Sequence, residues 1–227
     1  LPRANARYGK FNRANFISTD RSDADFTSAE MVDVLVCTPA DQLPEQAREA
    51  LAGHAEWIEK GGQSGKVGDF SGMNLSNVDF SGLKLSAAKF AGADLAGASF
   101  VHALLMFADF SNTHLFRANM AGADLRGSNF DQSVARSINL RGGKMGPMPL
   151  WDRSGKPTGN EWPVNLSGAD LDGANLADAD LRGANLSKAN LKGANLVRAD
   201  LTGAQVDGAD FSSVDFRDSV LPKGFQR

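Results

Sequence analysis

A large apolar residue returns at every fifth position over most of this chain, and that spacing constrains the fold more than any other feature. The first run reads Phe70, Leu75, Phe80, Leu85, Phe90, Leu95, Phe100, Leu105, Phe110, Leu115, Met120, Leu125 and Phe130. It slips at Ala135 and resumes at Leu140. A second run steps by five from Leu166 through Leu201 to Val206, Phe211, Phe216 and Leu221. A helix repeats at about 3.6 residues and a strand at about 2.0, so a period of five marks a repeat architecture instead.

The residues around each large position say how the unit bends. Two places before it stands a small residue: Ala88, Ala93, Ala98, Ala103 and Ala108, then Ala169 through Ala209 without a gap. Between the two lies a polar residue, often Asp or Asn, as at Asp94, Asp109, Asn119, Asp124, Asp170, Asn175, Asp180 and Asn185. The unit A-(D/N)-L-x-x is stated almost without error by GADLDGANLADADLRGANLSKANLKGANL. Side chains two apart share one face of an extended segment, so the Ala and the Leu or Phe point inward and the Asp or Asn points out. The remaining two residues must turn a corner. Gly often takes the second turn position, where a type II turn needs positive φ. Four such corners close a square coil, and coils stack at about 4.8 Å.

These units resemble the pentapeptide-repeat family. The resemblance covers residues 68–142 and 164–222, with a shorter piece at 9–33. It implies an all-β solenoid, a right-handed quadrilateral β-helix, with a short α-helix near the N-terminal side and one long inserted loop. The expected organisation is a partial coil over 1–33, a strand and helix that cap or flank over 34–67, a β-helix over 68–142, a Pro- and Trp-containing loop over 143–163, and a second β-helical block with a C-terminal cap over 164–227. Residues 20 apart should then stack. Phe70, Phe90, Phe110 and Phe130 form one ladder, and Phe80, Phe100 and Met120 line the opposite wall. Such a bore is filled by side chains and offers no channel.

Three places break the beat. Residues 1–31 carry it at Phe11, Phe16, Phe26 and Met31, but Arg21 occupies a centre that a dry core rejects. Val32–Cys37 reads as a short strand. The following LPEQAREALAGHAEWIEKGG places Ala47, Leu51, Ala55 and Ile58 on one helical stripe with Trp57 at its flank. Pro44 suits the helix start and Gly61-Gly62 the stop. This helix is expected to close the start of the stack, because a bare terminal coil leaves backbone and apolar surface unpaired. The second break, 141–164, has prolines at 147, 149, 157 and 163 that exclude the interior of a helix or sheet, so it reads as an excursion from one corner. Trp151 and Trp162 within it either fold back onto the coil wall or form a recognition loop.

The third break lies inside the regular block, in SFVHALLMFADFSNTHLFRAN. Outward slots there hold Val101, His102, Leu104, Met106, Phe107, His114, Phe116 and Arg117 instead of Ser, Asp, Asn, Lys or Gly. An outer wall this apolar is covered by something. Either the 44–60 helix or the 141–164 loop covers it from within, or another protein or a second copy does so. Candidate partner-binding residues are therefore Val101, His102, Leu104, Met106, Phe107, Phe116, Arg117, Trp151 and Trp162. A candidate dimer end is marked by Phe211, Phe216, Leu221 and Phe225, which make the last coils more aromatic than those before.

Little points to chemistry. His54, His102 and His114 show no metal-ligand spacing, and the single cysteine, Cys37, has no partner thiol. The regular Asp and Asn residues belong to the repeat, and the glycines to its corners. The expectation is a non-enzymatic protein–protein interaction scaffold or accessory subunit, with no catalytic residues, metal or cofactor. The resemblance also implies an alternative, a DNA-mimicking dimer that binds DNA gyrase or topoisomerase IV and protects against quinolones. Charge disfavours it. Residues 68–140 hold six acids against five bases, and 164–227 hold nine against seven. Duplex DNA over the same length would present about 20 negative charges. A net charge of −3 likewise gives no reason to expect nucleic-acid binding. No run is long enough to span a bilayer. The resemblance suggests a bacterial source, and one cysteine suits a reducing compartment, so a soluble cytoplasmic protein is the expectation. The chain begins at Leu1, which reads as a trimmed segment whose upstream targeting sequence is missing.

Overall fold

The computed structural model of the chain describes residues 38–39, 42–152 and 154–225. The partial coil expected over 1–33 and the strand expected at Val32–Cys37 lie outside the described residues. Regular elements are few: β1 (Thr38–Pro39), α1 (Glu45–Glu59), β2 (Val78–Asp79), β3 (Met148–Trp151) and β4 (Pro157–Trp162). The bulk of the fold consists of single parallel bridges, each joining a residue to one 20 positions on, such as Asp69 to Lys89 and Asn74 to Asp94. Bridges recur every five residues, so a coil has four faces. The outward residues of the first face are Asp69, Lys89, Asp109 and Asn129; of the second, Asn74, Asp94, His114 and Val134; of the third, Asp79, Ser99, Asn119 and Asn139; of the fourth, Lys84, Leu104, Asp124 and Lys144.

Corner geometry follows from the two residues after each large centre. The Met73 N–H donates to Phe70 O at 3.1 Å and closes a turn whose second inner residue, Gly72, has φ +67°. Positive φ at that position alone matches a type II turn. The outward Asp or Asn has a second task that its spacing conceals. Its Oδ1 accepts the N–H two residues on, as Asp69 does from Ser71, Asp79 from Ser81 and Asp109 from Ser111. This Asx cap holds the first residue of the corner and explains the choice of Asp or Asn over other polar residues. Asn side chains also link successive coils. Asn129 Nδ2 donates to Asp109, Asn165 to Asn129, and Asn185 to Asn165.

Inside, the expected ladders are present. Phe70, Phe90, Phe110 and Phe130 stack at centroid spacings of 4.9, 5.0 and 4.8 Å, and Phe80 stacks on Phe100 at 5.0 Å. The two columns meet edge to face, with Phe90–Phe100 at 5.6 Å and Phe100–Phe110 at 5.8 Å. Each geometry is a favoured one for rings. The slip at Ala135 leaves the ladder intact. Ala135 takes a centre, while the buried Ile138 fills the slot that elsewhere holds Ala, so large and small exchange places.

Beyond the slip, the ladder continues through the buried centre Met145. Asn129 then pairs with Asn165 and Lys144 with Asp180, 36 residues on rather than 20. The difference of 16 residues leaves the coil at the corner between the fourth and first faces and returns to it. It forms an antiparallel hairpin, β3 with β4, pairing Met148 with Trp162 and Trp151 with Pro157. Pro149 and Pro157 fit because a two-stranded hairpin has only edge strands.

The helix caps the first coil. Ala47 and His54 are buried on its coil-facing side, Gly53 O accepts the Lys66 N–H, and His54 Nδ1 accepts the Gly68 N–H at 3.0 Å. The expected stripe is divided. Leu51 and Ile58 are half-buried, Ala55 is exposed, and Trp57 stacks on His54 at 5.6 Å. β1 adds a parallel pair to β2 on the third face, so the first coil is covered by strand and helix. Among the described residues no helix is long and apolar enough to cross a membrane.

Candidate functional site

A 20-residue coil separates residues ten apart onto opposite faces, and this divides the candidate wall in two. Leu104 lies on the fourth face between Lys84 and Asp124, whereas His114 lies on the second face between Asp94 and Val134. The candidate residues therefore fall into two groups on opposite sides of the coil. Val101 and His102 form the corner before Leu104, and Met106 and Phe107 the corner after it. Phe116 and Arg117 sit at the corner after the second face, across the coil.

The fourth-face cluster gains its depth from the hairpin. Phe107 meets Trp162 edge-on, with ring centroids 6.4 Å apart at 76°. Both rings lie over Gly127, where an added Cβ would stand 2.7 Å from the Phe107 ring and 3.2 Å from Trp162 Cδ1. The hairpin thus folds one indole back onto the coil and leaves the other out. Trp162 remains 52% exposed, Phe107 43% and Leu104 38%, while Trp151 on the far side of the hairpin is 60% exposed. Internal cover is partial for Trp162 and does not extend to Trp151. Below Leu104, Arg126 reaches Met106 Sδ at 3.6 Å and grips Asp124 through two nitrogens. Burial works to raise the Asp124 carboxyl, but the Arg126 hydrogen bonds prevail and hold it below the usual carboxylate range.

Local costs are visible in this cluster. Leu104 occupies a slot where Asp or Asn would cap the corner, and Met106 N–H has no side-chain acceptor among the described residues. Phe107 takes φ +58° and His102 φ +56°, a region that side chains with a Cβ enter only under strain. The same column holds Ala87 at φ +63°, Gly127 at φ +70° and Gly183 at φ +64°.

The second patch is smaller. Phe116 is exposed, the Arg117 guanidinium lies 5.1 Å from its ring centroid, and exposed Val134 stands nearby on the second face. His114 Nδ1 is 3.1 Å from Asp94 Oδ1. At the C-terminal end, Phe211, Phe216 and Phe225 pack together, Phe225 meeting the others edge-on at 5.1 and 5.6 Å. Half-buried Phe211, Phe216 and Leu221 pack against the end of the core. Val134 and Val220 are exposed apolar residues that the sequence reading passed over, though both break the polar pattern of their slots.

The described residues contain no group of three or more His, Cys, Asp and Glu placed to hold a metal. Several carboxylates are held by arginines. Asp170 pairs with Arg136, Asp178 with Arg141 and Arg198, Asp180 with Arg182, and Asp215 with Arg217. Hydrogen bonds from Arg198 hold the Asp178 carboxyl below its ordinary value against desolvation, and Arg182 does the same for Asp180.

The family model described as pentapeptide repeats matches eight copies, over residues 69–132 and 164–218 in overlapping segments. Solved structures are similar as well. QnrB1, a plasmid-mediated fluoroquinolone resistance protein, is 23% identical over 67% of this chain and 73% of its own, with a TM-score of 0.48. HetL, a pentapeptide-repeat protein involved in heterocyst differentiation regulation from the cyanobacterium Nostoc sp. strain PCC 7120, is 20% identical over 100% of this chain and 93% of its own, at TM-score 0.29. Rfr23 from the cyanobacterium Cyanothece 51142 is 24% identical over 67% and 90%, at TM-score 0.25. No curated protein matches the chain.

Proposed function

Because the chain belongs to the pentapeptide-repeat family, whose members are generally non-enzymatic scaffold or interaction proteins, we propose that it is a docking rod that binds another protein through the fourth face and its hairpin. In this reading the coil winds as a right-handed quadrilateral β-helix, as in family members of known structure. The observation that carries the proposal is the Phe107–Trp162 pair over Gly127, with Leu104 beside it. Three large apolar side chains stay substantially exposed there, at the cost of a corner cap and a strained backbone. Aromatic, Met and Arg residues are the usual core of a protein interface, and Met106 and Arg126 complete that composition.

The test is a photoreactive residue at position 104, with one at exposed position 210 on the second face as control, in the cells that make the protein. A discrete protein adduct from position 104, absent from 210 and lost on Trp162→Ala, supports the reading. Equal labelling from both positions, or none from 104, refutes it.

The DNA-mimic alternative finds less support. A mimic needs a continuous free row of carboxylates, whereas arginines neutralise Asp124, Asp170, Asp178, Asp180 and Asp215 on several sides of the coil. Inhibition of purified gyrase supercoiling by the chain would restore that alternative.

A further inference from the structure

The capping helix carries a surface stripe that the core does not use. Arg48, Ala52, Ala55 and Glu59 are all exposed, and their spacing of four, three and four sets them in one line along α1. That line lies beside the coil-facing side formed by Ala47 and His54. Between it and the corner leading into the fourth face runs an open apolar groove of about 970 Å³, walled by Leu51, Ile58 and Leu83. Its rim carries Arg48 and Lys84, neither with a carboxylate partner among the described residues. Glu59, at the other end of the line, has only its chain neighbour Lys60, at 3.8 Å, as an ion partner among the described residues.

We propose that the occupant of this groove is α1 of a second copy of the chain, lying antiparallel about a two-fold axis. Two features single out that occupant. The stripe reads Arg-Ala-Ala-Glu in one direction and Glu-Ala-Ala-Arg in the other, so antiparallel pairing sets Arg48 against Glu59 of the second copy twice. It also sets Ala52 against Ala55 at the crossing, where small side chains let two helices approach closely in a four-three-four seam. The second feature is charge. Lys84, on the coil wall of the groove and outside α1, has no carboxylate partner among the described residues, and an incoming α1 brings glutamates to that wall. A two-fold interface must be complementary to itself, and this stripe is.

The experiment is the mass of the full chain by light scattering over a range of micromolar concentrations. The expected result is a concentration-dependent rise from 24.1 kDa towards twice that value, weakened by salt. Arg48→Glu and Glu59→Arg should each weaken association by at least about tenfold, since each sets like charges opposite one another. The double variant R48E/E59R should restore it, because both pairs are re-formed with their signs exchanged. A monomer at every concentration overturns the proposal. So does a dimer that survives both single variants, or one that is lost in Phe225→Glu but not in Arg48→Glu. Failure of the double variant to recover, with its fold intact by circular dichroism, also overturns it.

Discussion

Replacing Phe107 separates what the coil needs from what the docking face needs. Two variants remove the same ring and differ only in the backbone left behind. Phe107→Ala and Phe107→Gly both lose the edge contact with Trp162, worth about 0.5–1.5 kcal/mol beyond burial. Position 107 has φ +58°, where an L residue is disfavoured by about 1–2 kcal/mol and Gly is not. Against that, Gly brings about 0.5–1 kcal/mol of extra unfolded-chain entropy. Phe107→Gly should therefore be more stable than Phe107→Ala by about 0.5–1 kcal/mol, opposite to the order in a helix or strand. In a chain of this length the gap is about 1–4 °C in Tm, at the scale of about 2–4 °C per kcal/mol. Urea denaturation followed by circular dichroism, at matched slopes, reads it directly. Partner cross-linking should fall equally in both variants. An Ala variant as stable as the Gly variant, or more so, would refute the argument that this corner stores strain.

Four further outcomes are expected. Phe90→Ala removes a ring that stacks on Phe70 and Phe110 and meets Phe80 and Phe100 edge-on, and should cost about 3–5 kcal/mol in denaturant unfolding. Burial lowers the His54 pKa from its ordinary 6.5, so the unfolded chain binds the extra proton first. Stability of the helical cap should thus fall as pH drops below about 6.5 and level off only beneath the lowered folded value, by up to about 1.4 kcal/mol per pH unit. Trp57 fluorescence reports the cap, and His54→Gln should flatten the profile. Deleting residues 147–162 together with Pro163→Gly rejoins the corner directly after Gly146, since the second corner position needs positive φ and Pro cannot supply it. The shortened chain should keep its circular dichroism spectrum and lose the position-104 adduct. Asp124→Asn should weaken the Arg126 anchor beside Met106 and remove an acid whose pKa is depressed; the stability it contributes is present above about pH 4 and is lost as pH falls through the lowered folded value.

The period of five, the Ala two places before each centre and the corner glycines were enough to place nearly every core residue. They act locally, because alternation on an extended segment and positive φ at a turn do not depend on distant contacts. The aromatic ladders were equally legible, since a 20-residue coil makes spacing in sequence equal to stacking in space. The same rule, applied to Leu104 and His114, separates the outer residues onto opposite faces, so the division of the wall was available from spacing alone. Other features required the fold. Sixteen residues leave one corner and return to it without disturbing the ladder, and only the pairing of Asn129 with Asn165 reveals that continuity. Whether Trp162 or Trp151 would turn back onto the coil depended on the direction of the hairpin, which brings Trp162 over Gly127 and carries Trp151 away. The line of Arg48, Ala52, Ala55 and Glu59 was present in the sequence as an ordinary helix surface. It became a groove only when the helix settled on the first coil with Ala47 and His54 inward, because burial of one side of a helix is decided by what it packs against.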